Sequence, residues 1–247
     1  SESSSSPDSF ESESSEVLSE SEESSEVLSE SEESIEVSSE SESSEEIIPP
    51  APVSGVVDLY AINDFHGSVE VNEENYEMGI LKVGSYLKQR QQEDNTVVIN
   101  SGDYWQGSIQ SNLNYGEFLT KISNEIEFDA MTIGNHEFDW DLSTILNYVD
   151  GNVSNGEANF PFLACNIIDK TTNSIPQYVK EYEVVDYGSF QVGIIGYIGS
   201  TLESDISASK VANYDFIDPV DRIGELAEEL RAEKGCELVL AMGHDAS

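Results

Sequence analysis

From Val56 to Met242 the chain alternates short apolar runs, rich in β-branched residues, with longer stretches whose apolar positions recur every three or four residues. The first kind reads as buried strand and the second as amphipathic helix. Residues 56–62, 96–100 and 130–133 are the predicted strands, and 79–92 and 116–126 the helices between them. In 79–92, Ile80, Leu81, Val83, Tyr86 and Leu87 fall at helical spacing, and Lys88 and Arg90 sit near the end, where the helix dipole favours cations. Strand, polar turn and helix thus recur, the grammar of βαβ units in a parallel sheet. Beyond them, 141–149 is expected to be a short amphipathic helix, 152–159 a polar loop and 160–166 a further strand. Residues 178–186 and 190–197, joined by Tyr187-Gly188-Ser189, are expected to form an antiparallel hairpin, which signals a second sheet. Residues 219–234 read as a helix with Ile223, Leu226, Ala227 and Leu230 on one face, and 238–242 as a buried strand ending in Gly243-His244-Asp245.

The chemistry collects where the strands end. The first delivers Asn63-Asp64-Phe65-His66-Gly67; on an extended backbone Asp64 and His66 point the same way and can reach one metal ion. A carboxylate with an imidazole suits zinc, manganese or iron better than magnesium or calcium. The second ends in Ser101-Gly102-Asp103, where the glycine lets the backbone approach a ligand closely and Asp103 is the natural bridging carboxylate. The third ends in Gly134-Asn135-His136-Glu137-Phe138-Asp139. Asn135 offers an amide oxygen to a metal, and Asp139 is placed to orient His136 as an acid/base. A hydrogen-bonded histidine in a capped turn would account for any one of these strings. Repetition at consecutive strand ends, with all 3 histidines of the chain in such positions, calls for a shared site.

Charge divides the chain in two. It carries 50 acidic and 10 basic side chains, a formal charge of −40, which speaks against a nucleic-acid polymer as partner because phosphate backbones are held by clustered Lys and Arg. Residues 1–50 hold 17 of the carboxylates and no Lys or Arg, leaving a balance of −23 on residues 51–247. In that first segment SSEVLSESEE occurs twice, at 14–23 and 24–33, and degenerates to SIEVSSESES at 34–43. So few apolar residues cannot offset the ordering entropy, so residues 1–52 are expected to be a disordered, extended Ser/Glu-rich spacer closed by Pro49-Pro50-Ala51-Pro52. The alternative is a surface that binds calcium weakly or is modified on serine. The residues from Val53 onward are ample for one core. No run of 18 apolar residues and no secretory signal are present, and a chain that begins with Ser is expected to have had an upstream piece removed or omitted. Cys165 and Cys236 make neither a zinc-ribbon spacing nor a disulfide framework and read as small buried residues.

Four segments, INDFHG at 62–67, NSGDYWQGS at 100–108, TIGNHEFDW at 132–140 and GHD at 243–245, resemble in order the successive motifs of the calcineurin-like metallophosphoesterases. Within that family they resemble the bacterial 5′-nucleotidase and 2′,3′-cyclic-nucleotide phosphodiesterase group. FPFLACNI at 160–167 and VGIIGYI at 192–198 are similar to it too, so the resemblance covers nearly everything after Pro52. It implies an α/β fold, a four-layer α-β-β-α sandwich of two packed mixed sheets, with residues 53–247 as a catalytic domain incomplete at its C-terminus. It implies hydrolysis of nucleotide phosphoesters through two divalent metal ions with a bridging hydroxide. Asp64 and His66 would hold one ion, Asn135 and His244 the other, and Asp103 both. His136, oriented by Asp139, would stabilise the transferring phosphoryl group or protonate the leaving oxygen. The metals would also supply the positive charge that so acidic a domain lacks. In the family a later Gly-His motif and a C-terminal domain holding the base between aromatic rings complete the site. The chain is therefore expected to be part of a longer bacterial enzyme, extracellular or held at the cell envelope, and on its own to bind metal poorly and turn over slowly. It is expected to be a monomer with a small nucleotide as its partner. The competing readings are a nucleotide-sugar or other pyrophosphate hydrolase of the same fold, and a non-catalytic surface protein that binds cations through its acidic repeats.

Overall fold

The structure, a computed structural model, describes residues 55–245 except 94 and 189. The expected spacer at 1–52, and its boundary with the domain, lie outside the described residues. In chain order the elements are β1 (Asp58–Ile62), α1 (Gly79–Gln91), β2 (Thr96–Asn100), α2 (Ile109–Asn112), α3 (Glu117–Ile126) and β3 (Ala130–Thr132). They continue with β4 (Phe162–Leu163), β5 (Ile167–Asp169), β6 (Tyr182–Asp186), β7 (Gln191–Ile198), α4 (Ala208–Val211), β8 (Tyr214–Phe216), α5 (Val220–Ala232) and β9 (Leu238–His244).

Strands β1 to β4 form one sheet in sequence order, parallel throughout, and β6, β7 and β9 form a second in which β6 runs antiparallel and β9 parallel to β7. The buried strand β2 shows how the layers stack. Val98 packs on the outer face with Met131 against Ile80, Leu87, Leu119 and Ile126 of α1 and α3. Its neighbours Val97 and Ile99 point inward with Ala130 and Leu163, onto Val192, Ile194 and Met242 of the second sheet. Side chains alternate across a strand, so a run with both faces covered reads as uniformly apolar. On the far side of the second sheet Leu226 and Leu230 of α5 cover Ile195 together with Cys165 and Cys236. The order is helix, sheet, sheet, helix, the four-layer sandwich the resemblance implies.

Three local expectations give way. Residues 141–149 form a 3₁₀ helix, Leu142–Tyr148, and not an α-helix: Asp141 enters it at φ 74 with no side-chain cap, and Thr144 N–H donates to the Asp141 carbonyl three residues back. The strand expected at 160–166 is only Phe162–Leu163, after which the chain turns to β5, which pairs antiparallel with β8. The fully buried Asn166 causes the turn, because its amide donates to the carbonyls of Ile198 (2.7 Å) and Ile217 (2.8 Å) and accepts from Ile198 N–H (3.0 Å). A side chain there replaces a ladder partner. Finally, β9 continues to His244, which is paired with Ile198, so this histidine stands on the strand itself and not in a turn after it.

Parallel register brings the strand ends level. Ile62 lies opposite Asn100, and Asn100 opposite Met131, so the turns after β1, β2 and β3 leave the sheet side by side. The pairing carries on into them: Asp64, His66 and Gly67 N–H donate to the carbonyls of Gly102 (3.1 Å), Asp103 (3.0 Å) and Tyr104 (2.9 Å).

Candidate metal site

Apart from His244, which stands on β9, each of the chemically promising side chains is set by its turn. Asp64 and His66 are not on extended backbone, as their spacing suggested; both are left-handed, at φ 48, and so is Asp103 at φ 51. Asp and His tolerate that region better than most residues, but each such position still costs on the order of 1 kcal/mol, and such strain concentrates at functional sites. The turn after β2 is shaped by Asn100, whose side-chain oxygen accepts from Gly102 N–H (2.9 Å). Gly102 itself is at φ 93, and a Cβ there would lie 2.7 Å from Gly134 N. The turns of β2 and β3 therefore touch backbone to backbone.

One carboxylate fastens those two turns. Glu137 is 1% exposed; its Oε2 accepts from Asp103 N–H (2.9 Å) and Gly134 N–H (2.8 Å), and its Oε1 from Tyr104 N–H (3.0 Å). Burial, with the charge of Asp103 nearby, pushes the Glu137 carboxyl up against the pull of those three N–H bonds. Nothing in the string His136-Glu137-Phe138-Asp139 announces this role, since no periodicity marks Glu137 as inward-facing.

Around Asp103 the three histidines are arranged alike. Nδ1 of His66 faces the Gln106 carbonyl (3.3 Å), Nδ1 of His136 the Asp139 carboxylate (2.8 Å) and Nδ1 of His244 the Ser101 carbonyl (2.8 Å). An oxygen acceptor at Nδ1 fixes the proton there and leaves Nε2 free to act. The three Nε2 atoms stand 3.9, 4.0 and 3.3 Å from Oδ2 of Asp103. Oδ1 of Asp103 accepts from His136 N–H (2.8 Å), Asp64 Oδ1 lies 3.8 Å from His66 Nε2, and Asn135 Oδ1 lies 3.1 Å from His244 Nε2. All seven residues singled out in the sequence, Asp64, His66, Asp103, Asn135, His136, Asp139 and His244, are thus brought to one place.

The electrostatics belong to a site short of positive charge. Burial alone would raise the Asp103 carboxyl, yet hydrogen bonding from His244 and from His136 N–H holds it below the usual value. Burial likewise works against the His244 imidazolium, but Asp103 outweighs it and pushes His244 up to about 9. His136 is raised as well, because Asp139 and Asp103 overcome the effect of its burial.

Among the described residues two groups could hold a metal ion, His66 with Asp103 and His136, and Asp64 with Asp103 and His244, the ligand atoms of each lying within 4.8 Å of one another. Asp103 belongs to both. This grouping crosses the one implied by the resemblance, which joins Asp64 to His66. Ligands at 2.0–2.2 Å from one ion stand roughly 3–4 Å from each other, so the Nε2 to Oδ2 separations suit a shared cation, and a nitrogen and oxygen donor set suits zinc, manganese or iron.

Comparison with known proteins identifies the family. The model of the family described as calcineurin-like phosphoesterase matches residues 58–247. A snake venom 5′-nucleotidase of Naja atra is 31% identical over 169 residues, 67% of this chain and 30% of that protein. A cell wall protein of Listeria monocytogenes is 24% identical over 214 residues, 76% of this chain and 27% of that protein. The chain therefore spans less than a third of the length of these relatives. The crystal structure of a 5′-nucleotidase precursor from Thermus thermophilus superimposes with a TM-score of 0.63 over 76% of this chain and 37% of that one, at 24% identity, a likeness of fold.

Proposed function

The chain belongs to the calcineurin-like phosphoesterase family, a family of hydrolases that act on ester bonds with divalent metal ions, and from that premise we propose that it hydrolyses nucleotide phosphoesters, as a 5′-nucleotidase or a 2′,3′-cyclic-nucleotide phosphodiesterase, at a centre of two such ions. The observation that carries the reading is the convergence of three Nε2 atoms, each with its Nδ1 tied back, on one oxygen of the buried Asp103. Asp64, His66, Asn135 and His244 are the further ligands we assign around that carboxylate. Two divalent cations there would lower the pKa of a water between them and neutralise charge developing on phosphorus.

The chain's own residues do the rest. Glu137 keeps the Asp103 turn and the Asn135 turn at a fixed separation through its three backbone partners. His136 is the acid/base: Asp139 holds its Nδ1 proton and so aims Nε2 at the reacting group, where a proton can be given to the leaving oxygen. The left-handed turns present Asp64, His66 and Asp103 with little freedom to reorganise, which favours a preformed site. We also place the protein outside the cytoplasm or on the cell envelope, a reading supported by a venom enzyme and a cell wall protein among its relatives.

The test is hydrolysis of adenosine 5′-monophosphate and of a 2′,3′-cyclic nucleotide, with manganese or zinc added, by the protein and by its Asp103→Ala variant. Phosphate release that disappears in the variant is the expected result. Equal release by both would show that the chemistry lies elsewhere.

A further inference from the structure

We propose that the outer edge of β6 is a docking site for a partner protein, which adds to the second sheet an extended segment with basic and apolar side chains alternating along it. The inference stands apart from the phosphoesterase reading. Val184 of β6 lies opposite Gly193, and Gly193 opposite Val239, five residues before His244 on β9. The edge is therefore roughly 16 Å along the strands from the candidate metal site.

β6 is the end strand of its sheet. Just before it the Glu181 carbonyl accepts from Gly196 N–H (3.1 Å), and just after it Tyr187 N–H donates to the Phe190 carbonyl (3.0 Å). Antiparallel pairing alternates bonded with non-bonded pairs, so the odd-numbered residues turn their backbone groups toward β7. Tyr182, Val184 and Asp186 turn theirs away, and among the described residues no N–H or C=O of these three has a hydrogen-bond partner. At Lys180 that side of the chain is still closed, by its N–H on the Phe162 carbonyl and by Ala164 N–H on its own carbonyl, both 2.9 Å. Beyond it the edge is bare. An unpaired edge is a template for another strand, and strand addition is a recurrent mode of peptide recognition.

Charge and shape decide what the added strand carries. Two cavities adjoin the edge, and Val184 lines both. In the first, of about 570 Å³, Asp129, Glu157, Glu183 and Asp186 face a single cation, Lys180. Lys180 is already bound to Glu183 (2.7 Å), and Glu157 Oε2 is buried with no partner among the described residues. A basic side chain from outside would supply the missing donor and the missing charge. The second cavity, of about 550 Å³, is balanced, with Glu181 and Glu183 against Lys180 and Lys234, and Ile175, Val179 and Tyr182 give it an apolar wall. Successive side chains of a strand point to opposite faces, so one set would meet the carboxylates and the other the apolar wall. A second copy of this chain fits poorly. It would set its own Glu181, Glu183 and Asp186 against these, and facing like charges destabilise a sheet.

The experiment titrates the full chain and its Val184→Pro variant into a fluorescein-labelled, end-capped peptide of alternating lysine and valine, and into its glutamate and valine counterpart, with anisotropy as the readout. Proline is tolerated on an edge strand where the N–H faces outward, so the variant keeps its pairing with β7. The lysine peptide is expected to bind the unaltered protein and to bind Val184→Pro about tenfold more weakly, because the variant loses a backbone donor at the centre of the edge. Attraction of a cationic peptide to the acidic repeats would be equal in both proteins, so equal affinity overturns the proposal. Absence of binding by the unaltered protein, or equal affinity for the glutamate peptide, overturns it too. Hydrogen exchange on the unaltered protein gives a second reading that needs no variant. The amides of Val184 and Asp186 are expected to exchange freely alone and to be protected by the lysine peptide, and unchanged exchange overturns strand addition. A dimer in sedimentation that Val184→Pro dissolves would assign the edge to a second copy and overturn the basic partner.

Discussion

Glu137 carries its carboxylate where almost no water reaches it, and its partners are three backbone N–H groups from two different turns. Replacing it with alanine leaves those donors buried and unpaired at about 1–3 kcal/mol each, so Glu137→Ala is expected to lower unfolding stability by at least about 3 kcal/mol in urea titration. Glu137→Gln keeps the shape but turns an NH₂ toward an N–H, and is expected to lose roughly half as much. Asp139 makes a different case, because it and His136 are both about one-third exposed and the pair adds little to stability. Asp139→Asn removes only what orients the imidazole. It is expected to lower kcat roughly 10- to 100-fold with an unchanged melting temperature, by steady-state kinetics beside calorimetry. This contrast marks what a sequence shows at the scale of residues. The acid/base and ligand types stand out by chemistry alone, and the structure brings all of them together. The residue that spaces them did not stand out, since its purpose exists only once two turns 34 positions apart are in contact. Nor could the letters Asp and His announce that three backbones would be left-handed.

At the scale of elements, β2, β3 and β7 were legible because both faces of each are covered, and their apolar runs follow directly; β9 was legible by its apolar run too, although Leu238, Val239 and Leu240 are half-buried and Ala241 is exposed. Short elements that depend on distant partners were not, β5 with β8 being three residues paired to three. Two positions test how the layers hold. Gly196 of β7 faces Leu163 of β4 so closely that a Cβ would strike the leucine Cβ and lie 2.8 Å from its carbonyl carbon. Backbone cannot move aside as a side chain can, so Gly196→Ala must part the two sheets, and a loss of about 1–3 kcal/mol or more is expected in chemical denaturation. Asp129, just before β3, accepts from Val98 N–H (2.7 Å) of β2 and from Gln91 of α1 (3.3 Å). Burial raises its carboxyl above the ordinary value despite those bonds. An acid whose pKa is raised by folding favours the fold while protonated. Its contribution is therefore complete below an unfolded pKa of about 4 and is lost as pH rises through the folded value. Asp129→Asn, which keeps an acceptor for Val98, should flatten that decline and be more stable than the parent at pH 7. Melting temperatures taken from pH 4 to 8 decide it, and a variant that is less stable at pH 7 but equal at pH 4 would reverse the sign.

For the whole molecule the governing quantity is charge. A balance of −23 on residues 51–247 makes the folded domain repel itself, so any salt that screens it should stabilise it, and a rise in melting temperature with cation is no evidence of a site. Specific binding differs in form: it adds RT ln(1 + [L]/Kd), about 2.7 kcal/mol at a hundredfold excess over Kd, at concentrations too low to change the Debye length. Manganese or zinc at fixed ionic strength is therefore expected to raise the melting temperature, and a chelator to reverse it. Asp103→Ala should abolish the shift, because Asp103 belongs to both candidate ligand groups. The 17 carboxylates of residues 1–50 could bind cations too, and they distinguish the catalytic reading from that of a cation-binding surface protein. A chain shortened to begin at Val53 should keep the whole shift if the metal sits at the strand ends. Were the shift to vanish with the acidic repeats and persist in Asp103→Ala, the metal would belong to those repeats, and the cluster around Asp103 would be only a hydrogen-bonded core.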